Sequence, residues 1–137
     1  MDILKYRANK KRNILIVEDD ATLSRIYKEI LAKEGYRVLT AKNGKSAKNI
    51  LTWNIVDLVL LDIMLPDMSG IDILKFLREQ KADIKVVVLT NNSNTSISDT
   101  CIELGVSMYL YKSEYTPQEL LTCVERALGM NILLASL

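Results

Sequence analysis

The chain has 137 residues, of which 49% are hydrophobic and 26% charged, and its formal net charge is +1 at pH 7. This composition predicts one globular domain that needs no disulfide or metal ion to fold, and the absence of histidine excludes the commonest general base and metal ligand. No apolar stretch approaches the ~20 residues of a membrane span and no secretory signal opens the chain, so we expect a cytoplasmic protein without membrane insertion.

The start of the chain is basic. Residues 1–12 contain several lysines and arginines but only one acidic residue, Asp2. This pattern predicts a basic N-terminal arm, solvated and partly disordered, with an anionic-partner site as the alternative. The remainder is mildly acidic, which argues against direct nucleic-acid binding by this domain. We assign residues 13–130 to the folded domain and the apolar residues 131–137 to a C-terminal tail or linker stub.

Short apolar runs alternate with helical patterns through the folded domain. The runs predict strands at 14–17, 36–41, 58–61, 84–90 and 108–111. Apolar residues spaced three and four apart predict a helix after each strand, and the last helix begins with a capping signal at Thr116, Pro117 and Glu119. Right-handed crossovers then give an α/β fold with a five-stranded parallel sheet, doubly wound, with helices on both faces. Cys101 and Cys123 fall on apolar helix faces, which indicates reduced core thiols.

Polar residues collect where these strands end. The carboxyl ends of parallel strands meet at one edge of the sheet, which brings together Glu18, Asp19, Asp62, Thr90 and Lys112. Carboxylates held close repel one another unless a cation neutralises them, and hard oxygen ligands suit Mg²⁺. Lys112 could offset the charge of a phosphoryl group, and the Thr90 hydroxyl could donate a hydrogen bond to it. Asp62 follows the most apolar strand and is the best candidate nucleophile, which would form an aspartyl phosphate.

This arrangement strongly resembles the receiver domains of two-component response regulators, from about Asn13 to Met130, which is almost the whole chain. The resemblance implies a flavodoxin-like strand order of 2-1-3-4-5. It also implies that Mg²⁺ (or Mn²⁺) is held by Glu18, Asp19, Asp62 and the backbone carbonyl of Met64. Two further positions match the switch residues of the family, Thr90 and Tyr109, and Lys112 matches its lysine.

The function implied by the resemblance is signalling. A sensor histidine kinase or a histidine phosphotransfer protein would donate a phosphoryl group to Asp62, and the protein would assist its own phosphorylation and dephosphorylation without being an enzyme. Thr90 and Tyr109 would then change a face formed by the fourth predicted helix, the last strand and the last helix. That face would contact a downstream effector or an output domain.

Two positions depart from the family pattern. Ser113 stands where the family usually has a proline after the lysine in a cis bond, so we expect a trans or strained cis Lys112–Ser113 bond and a slightly displaced Lys112. Asn91 replaces a small residue after the switch hydroxyl and could restrict access to Asp62, while Asn92 could position a water. With Met64, these residues would affect the lifetime of the phosphoryl group.

Three other interpretations fit parts of the pattern. A degenerate receiver would act as a phosphorylation-independent protein-interaction module. An aspartyl-nucleophile phosphatase would place a second aspartate as general acid two residues after the nucleophile, where this chain has Met64. A flavin- or nucleotide-binding module would need a phosphate-binding loop after the first strand, where Glu18 and Asp19 would repel a phosphate.

Overall fold

A computed structural model describes residues 2–9, 12–80 and 83–129. Within them, strands and helices alternate after an initial helix, and a short 3₁₀ helix, Lys112–Glu114, precedes the last helix. The elements in chain order are α1 (Ile3–Asn9), β1 (Asn13–Val17), α2 (Ala21–Lys33), β2 (Arg37–Ala41), α3 (Gly44–Trp53), β3 (Leu58–Leu61), α4 (Gly70–Glu79), β4 (Lys85–Thr90), α5 (Thr95–Glu103), β5 (Met108–Tyr111) and α6 (Pro117–Ala127).

The five strands form one parallel sheet in the order β2-β1-β3-β4-β5. This confirms the predicted strand number, direction and order. β1 and β3 are paired in register from Ile14 opposite Leu58 to Val17 opposite Leu61. Because the two strands end together, the residues that follow them leave the sheet side by side.

Each face of the sheet has its own hydrophobic core, because successive side chains of a strand point to opposite faces. In β1, Ile14 and Ile16 pack into one core while Leu15 and Val17 pack into the other. The first core is covered by α2 and α6, and the second by α3, α4 and α5. Cys101 and Cys123 are buried free thiols, as predicted. The sheet is therefore doubly wound.

The arm interpretation is wrong for residues 3–9, which form α1. Lys5 Nζ lies 2.7 Å from Oε1 of Glu125 on α6 and 3.3 Å from Oε2 of Glu34 at the end of α2. Asn9 is buried and donates a side-chain hydrogen bond to the Glu34 carbonyl at 2.8 Å. These partners are distant in sequence, so they give no local signal. Residues 1, 10, 11 and 131–137 of the arm and tail assignments lie outside the described residues.

Gly35 explains how closely α1 approaches the domain. Its φ is +98°, and a Cβ at this position would lie 2.6 Å from the Tyr6 carbonyl oxygen. Glycine satisfies both constraints, since it tolerates positive φ and has no Cβ. The Arg12 guanidinium adds a contact at the end of this segment by donating to the Leu128 carbonyl at 3.1 Å. The segment before β1 is thus attached to the ends of both α2 and α6.

Arg78 joins the ends of two helices on the other face. From α4, it donates hydrogen bonds to the carbonyls of Leu104 at 2.6 Å and Gly105 at 3.1 Å, directly after α5. A longer contact of 3.5 Å reaches the Ile84 carbonyl before β4. Carbonyls at a helix C-terminus lack partners within the helix, so Arg78 stabilises this end of α5. Among the described helices, none is long and apolar enough to cross a membrane.

Candidate functional site

Sheet hydrogen bonds fix the backbone of the two acidic segments at the strand ends. The Glu18 amide, directly after β1, donates to the Ala41 carbonyl at 3.0 Å. The Asp62 amide, directly after β3, donates to the Val17 carbonyl at 3.0 Å. Both carboxylates therefore leave the same edge of the sheet from positions set by the strand pairing. Only 4% of Glu18 and 6% of Asp62 is exposed.

Lys112 lies between these two carboxylates. Its Nζ is 2.7 Å from Oδ2 of Asp62 and 2.5 Å from Oε1 of Glu18. Burial by itself would lower the pKa of Lys112, but the hydrogen bonds to Asp62 and Glu18 outweigh it and raise that pKa. No cis peptide bond occurs among the described residues, so the bond to Ser113 is trans. With this trans bond, the ammonium group of Lys112 reaches both carboxylates.

Three carboxylates form a cluster able to hold a metal ion. Glu18, Asp19 and Asp62 each offer an oxygen, and these oxygens lie within 4.8 Å of one another. Asp19 is exposed, whereas its two companions are buried. Burial raises the pKa of Glu18, and the contact with Lys112 offsets only part of this effect. An all-oxygen set that is accessible on one side fits the preference of Mg²⁺ for a few carboxylates and retained waters.

Asp20 is not a member of this cluster. Its Oδ1 accepts hydrogen bonds from the amides of Thr22 and Leu23, both at 3.0 Å, and so caps the N-terminus of α2. An aspartate immediately before an apolar helical repeat is a recognised sign of a helix cap. The sequence therefore contains a local signal for the start of α2 at Asp20.

The predicted switch residues are connected through Asn92. Thr90, the last residue of β4, is fully buried, and its Oγ1 accepts a hydrogen bond from the Asn92 amide at 3.2 Å. The Asn92 carbonyl in turn accepts a hydrogen bond from the Tyr109 hydroxyl at 3.3 Å. Burial raises the pKa of Tyr109 to about 12, so this hydroxyl is a donor at neutral pH. Two hydrogen bonds, both made by the Asn92 backbone, therefore connect Thr90 to Tyr109.

Of the three residues expected to control access to Asp62, two line the same cleft. Met64 and Asn92 line one cleft of about 450 Å³, together with the loop between β3 and α4. The Met64 side chain is 60% exposed, while its amide donates to Oδ1 of Asp62 at 3.1 Å. Asn91 is exposed at the start of the next loop. Met64 and Asn92 are thus brought together on one side of the site.

A second cleft, of about 350 Å³, adjoins the acidic cluster on the side of α2 and β2. Glu18 and Asp19 form part of its wall, and the rest includes three basic side chains: Arg25, Lys28 and Lys42. Each of these basic residues is exposed. Their positive charge lowers the repulsion that an anionic group would otherwise meet near the carboxylates.

Sequence reasoning also missed Asp67, in the loop between β3 and α4. Its Oδ1 accepts a hydrogen bond from the Gly44 amide at 2.8 Å, and its Oδ2 accepts one from the Lys45 amide at 2.9 Å. These amides open α3, more than twenty residues earlier in the chain. The sequence contains no local signal for such a contact, because the cap and the helix belong to different segments.

Comparisons with known proteins agree with this geometry. A family model described as "Response regulator receiver domain" matches residues 14–125. The response regulator SaeR of Staphylococcus aureus (strain USA300) is 34% identical over 116 residues, which cover 85% of this chain and 50% of SaeR. The chain therefore spans about half the length of this relative.

Two solved structures show the same fold. A CheY-like receiver domain protein from Methanospirillum hungatei JF-1 is 29% identical, with a TM-score of 0.82 over 86% of this chain and 94% of that one. The response regulator TrrA from Thermotoga maritima, in complex with Mg²⁺ and BeF, is 34% identical, with a TM-score of 0.74 over 85% of this chain and 98% of that one. With the family match over 14–125 and the acidic cluster beside Lys112, these likenesses show that the chain belongs to the response regulator receiver domain family.

Proposed function

We propose that this receiver domain accepts a phosphoryl group on Asp62 and that a divalent cation, Mg²⁺ or Mn²⁺, is required. The observation that carries the proposal is the cluster in which oxygens of Glu18, Asp19 and Asp62 lie within 4.8 Å of one another while Lys112 contacts Asp62 at 2.7 Å. The three carboxylates and the backbone carbonyl of Met64 would hold the ion. When bound, it would supply positive charge that offsets both the carboxylates and the phosphoryl oxygens.

The donor would be a phosphohistidine on a sensor histidine kinase or a histidine phosphotransfer protein. A carboxylate oxygen of Asp62 attacks phosphorus, so that an O–P bond forms while the N–P bond breaks. The electron pair of that bond returns to the histidine nitrogen, which takes a proton. Lys112 is already beside Asp62 and would pair with the transferred group. The domain supplies no histidine of its own, and we propose that it is a phosphoacceptor rather than an enzyme.

Signalling would follow from the charge added at Asp62. Thr90 would donate its hydroxyl hydrogen bond to the phosphoryl group, and the contact of Asn92 with both Thr90 and Tyr109 would carry the change outward. The affected face comprises α5, β5 and α6, and a downstream effector or an output domain would bind there. The matched residues cover only 50% of SaeR, which supports the presence of such a second part in that relative.

The test is an intact-mass measurement after incubation with MgCl₂ and acetyl phosphate or phosphoramidate. We expect the wild-type protein to gain the mass of one phosphoryl group, and Asp62→Asn or a chelator to prevent the gain. Asp72→Asn, which alters an exposed acid on α4, is the matched control and should react like the wild type. An unmodified wild type, or an equally modified Asp62→Asn, would contradict the proposal, and the former would favour the phosphorylation-independent interaction module.

A further inference from the structure

The loop of residues 62–69 between β3 and α4 is tied to the start of α3 by the hydrogen bonds of Asp67, beside Met68, which packs against the core and lies next to Gly44. Asp67 uses both carboxylate oxygens, accepting from the Gly44 amide at 2.8 Å and from the Lys45 amide at 2.9 Å. Positive charge at the N-terminus of α3 favours a carboxylate there. These hydrogen bonds hold the pKa of Asp67 below that of an ordinary aspartate.

The helix does not need Asp67 in order to begin. α3 has its own N-cap, Asn43, whose side chain accepts a hydrogen bond from the Ser46 amide at 2.8 Å. Asp67 takes two different amides, which the local cap does not reach. Its distinctive effect is therefore on its own loop, whose outer end it ties to α3.

That loop also carries the backbone next to the phosphoacceptor. The Met64 amide donates to Oδ1 of Asp62 at 3.1 Å, and Met64 forms an isolated antiparallel bridge with Ser69. The base of the loop is closed by the hydrogen bond from the Gly70 amide to the Ile63 carbonyl at 2.7 Å. The Met64 side chain is mostly exposed, so packing holds it weakly. The position of the Met64 peptide therefore depends on these backbone contacts and on what fixes the outer part of the loop, where Leu65 and Met68 pack against the core and Asp67 supplies the hydrogen bonds to α3.

We infer that Asp67 is a positioning residue that holds the Met64 peptide beside Asp62 and so sets the affinity of the site for a divalent cation. This inference rests on the proposed function, which makes the Met64 carbonyl a ligand. Residues that orient metal ligands through hydrogen bonds usually change metal affinity by about tenfold or more when they are removed. Asp67 would orient the Met64 carbonyl through the loop backbone, without contacting a ligand directly.

The experiment measures Mg²⁺ and Mn²⁺ binding by isothermal titration calorimetry for four proteins: wild type, Asp67→Ala, Asp67→Asn and Asn43→Ala. We expect affinity to fall roughly tenfold in Asp67→Ala. Asp67→Asn keeps one acceptor oxygen and should fall between Asp67→Ala and the wild type. Asn43→Ala weakens the start of α3 without touching the loop, so its affinity should equal that of the wild type. Circular dichroism fixes a temperature at which all four proteins are folded.

A kinetic measurement separates positioning from general damage to the site. Phosphorylation by acetyl phosphate should be slow in Asp67→Ala at low Mg²⁺ and should recover at saturating Mg²⁺, since only affinity is changed. Wild-type affinity in Asp67→Ala, or an equal loss in Asn43→Ala, would overturn the inference while leaving the proposed function intact. A wild type that binds no divalent cation would overturn both.

Discussion

The ammonium group of Lys112 lies between two buried carboxylates, 2.7 Å from Asp62 and 2.5 Å from Glu18. It occupies this position although the residue after it is serine and the intervening peptide is trans. The chain turns directly from β5 into the 3₁₀ helix Lys112–Glu114. One ammonium group therefore pairs with two of the three acids that the proposed metal ion would also contact.

Replacing Lys112 by methionine should raise Mg²⁺ affinity and slow phosphorylation. The ammonium repels a divalent cation and shares Glu18 and Asp62 with it, so its removal should tighten binding by about tenfold, or roughly 1.4 kcal/mol. The same change removes the charge that would pair with the transferred group. Titration calorimetry with Mg²⁺ and the rate of reaction with acetyl phosphate measure the two effects. Lys112→Arg keeps the charge, and weaker Mg²⁺ binding in Lys112→Met would contradict the prediction.

Lys5→Met should destabilise the whole domain although α1 lies at its periphery. Glu125 is only 5% exposed, and without Lys5 its carboxylate would remain buried with its ion pair removed. The Lys5 side chain is partly exposed, at 16%, so we expect a loss of about 1–2 kcal/mol in the free energy of unfolding, measured in urea. Arg7→Met changes an exposed residue of the same helix and is the matched control.

A double variant tests the physical reason for that loss. Combining Lys5→Met with Glu125→Leu removes both charges, and we expect stability to recover relative to Lys5→Met alone. If the losses of stability measured separately for Lys5→Met and Glu125→Leu add up to the loss in the double variant, Lys5 and Glu125 are not coupled.

The start of α6 should contribute to the loss of stability in acid. Glu119 and Thr116 form a capping box in which the Glu119 carboxylate accepts from the Thr116 amide at 3.1 Å. This hydrogen bond lowers the pKa of Glu119 below that of an ordinary glutamate. Its stabilising effect is therefore present above the ordinary value of about 4.3 and is lost as the pH falls through the lower folded-state pKa. Urea titrations from about pH 5 downwards should show a shallower decline in Glu119→Gln.

The exposed Glu103 provides the comparison for this pH series. Glu103→Gln changes the same side chain at the end of α5 without affecting a capping box. A Glu119→Gln protein whose unfolding free energy declined as steeply as that of the wild type would refute the role of the capping box.

Gly70→Ala should destabilise the domain although alanine favours helices. A Cβ at Gly70 would lie 2.6 Å from the Asp62 carbonyl oxygen and 2.8 Å from Cα of Ile63, and both are backbone atoms. The backbone beside the phosphoacceptor would have to shift, which we expect to reduce the free energy of unfolding by about 1–3 kcal/mol. Urea denaturation measures this loss, and unchanged or increased stability would contradict the close approach.

The sheet could be predicted because its signals are local. Runs such as Leu58–Leu61 are continuous and apolar, and they end at polar residues, so both the strand and the residue at its carboxyl end can be read from one segment. Parallel pairing then brings distant segments to one edge. For this reason the sequence also predicted that Asp62, Glu18 and Lys112 lie together.

Contacts between distant segments were not predictable in the same way. α1 is short and basic, and its main ion pair joins residues 120 positions apart. The hydrogen bonds by which Asp67 caps α3 join two segments that are more than twenty residues apart in the sequence. Helices as short as α1, with seven residues, gain little stability from their own sequence, so tertiary contacts decide whether such a segment is ordered. Those contacts exist only after the sheet has assembled.

Arg78 affects how α5 can move when Asp62 is phosphorylated. The carbonyls of Leu104 and Gly105 at the C-terminal end of α5 are both bound to this one guanidinium, whereas the first turn of the helix follows the loop of Asn92. A tilt of α5 would therefore have its pivot at Leu104 and its largest amplitude at Thr95. Arg78→Met should therefore speed hydrogen exchange of the amides in the last turn of α5 and leave the first turn unchanged, because first-turn amides lack intrahelical acceptors in either protein.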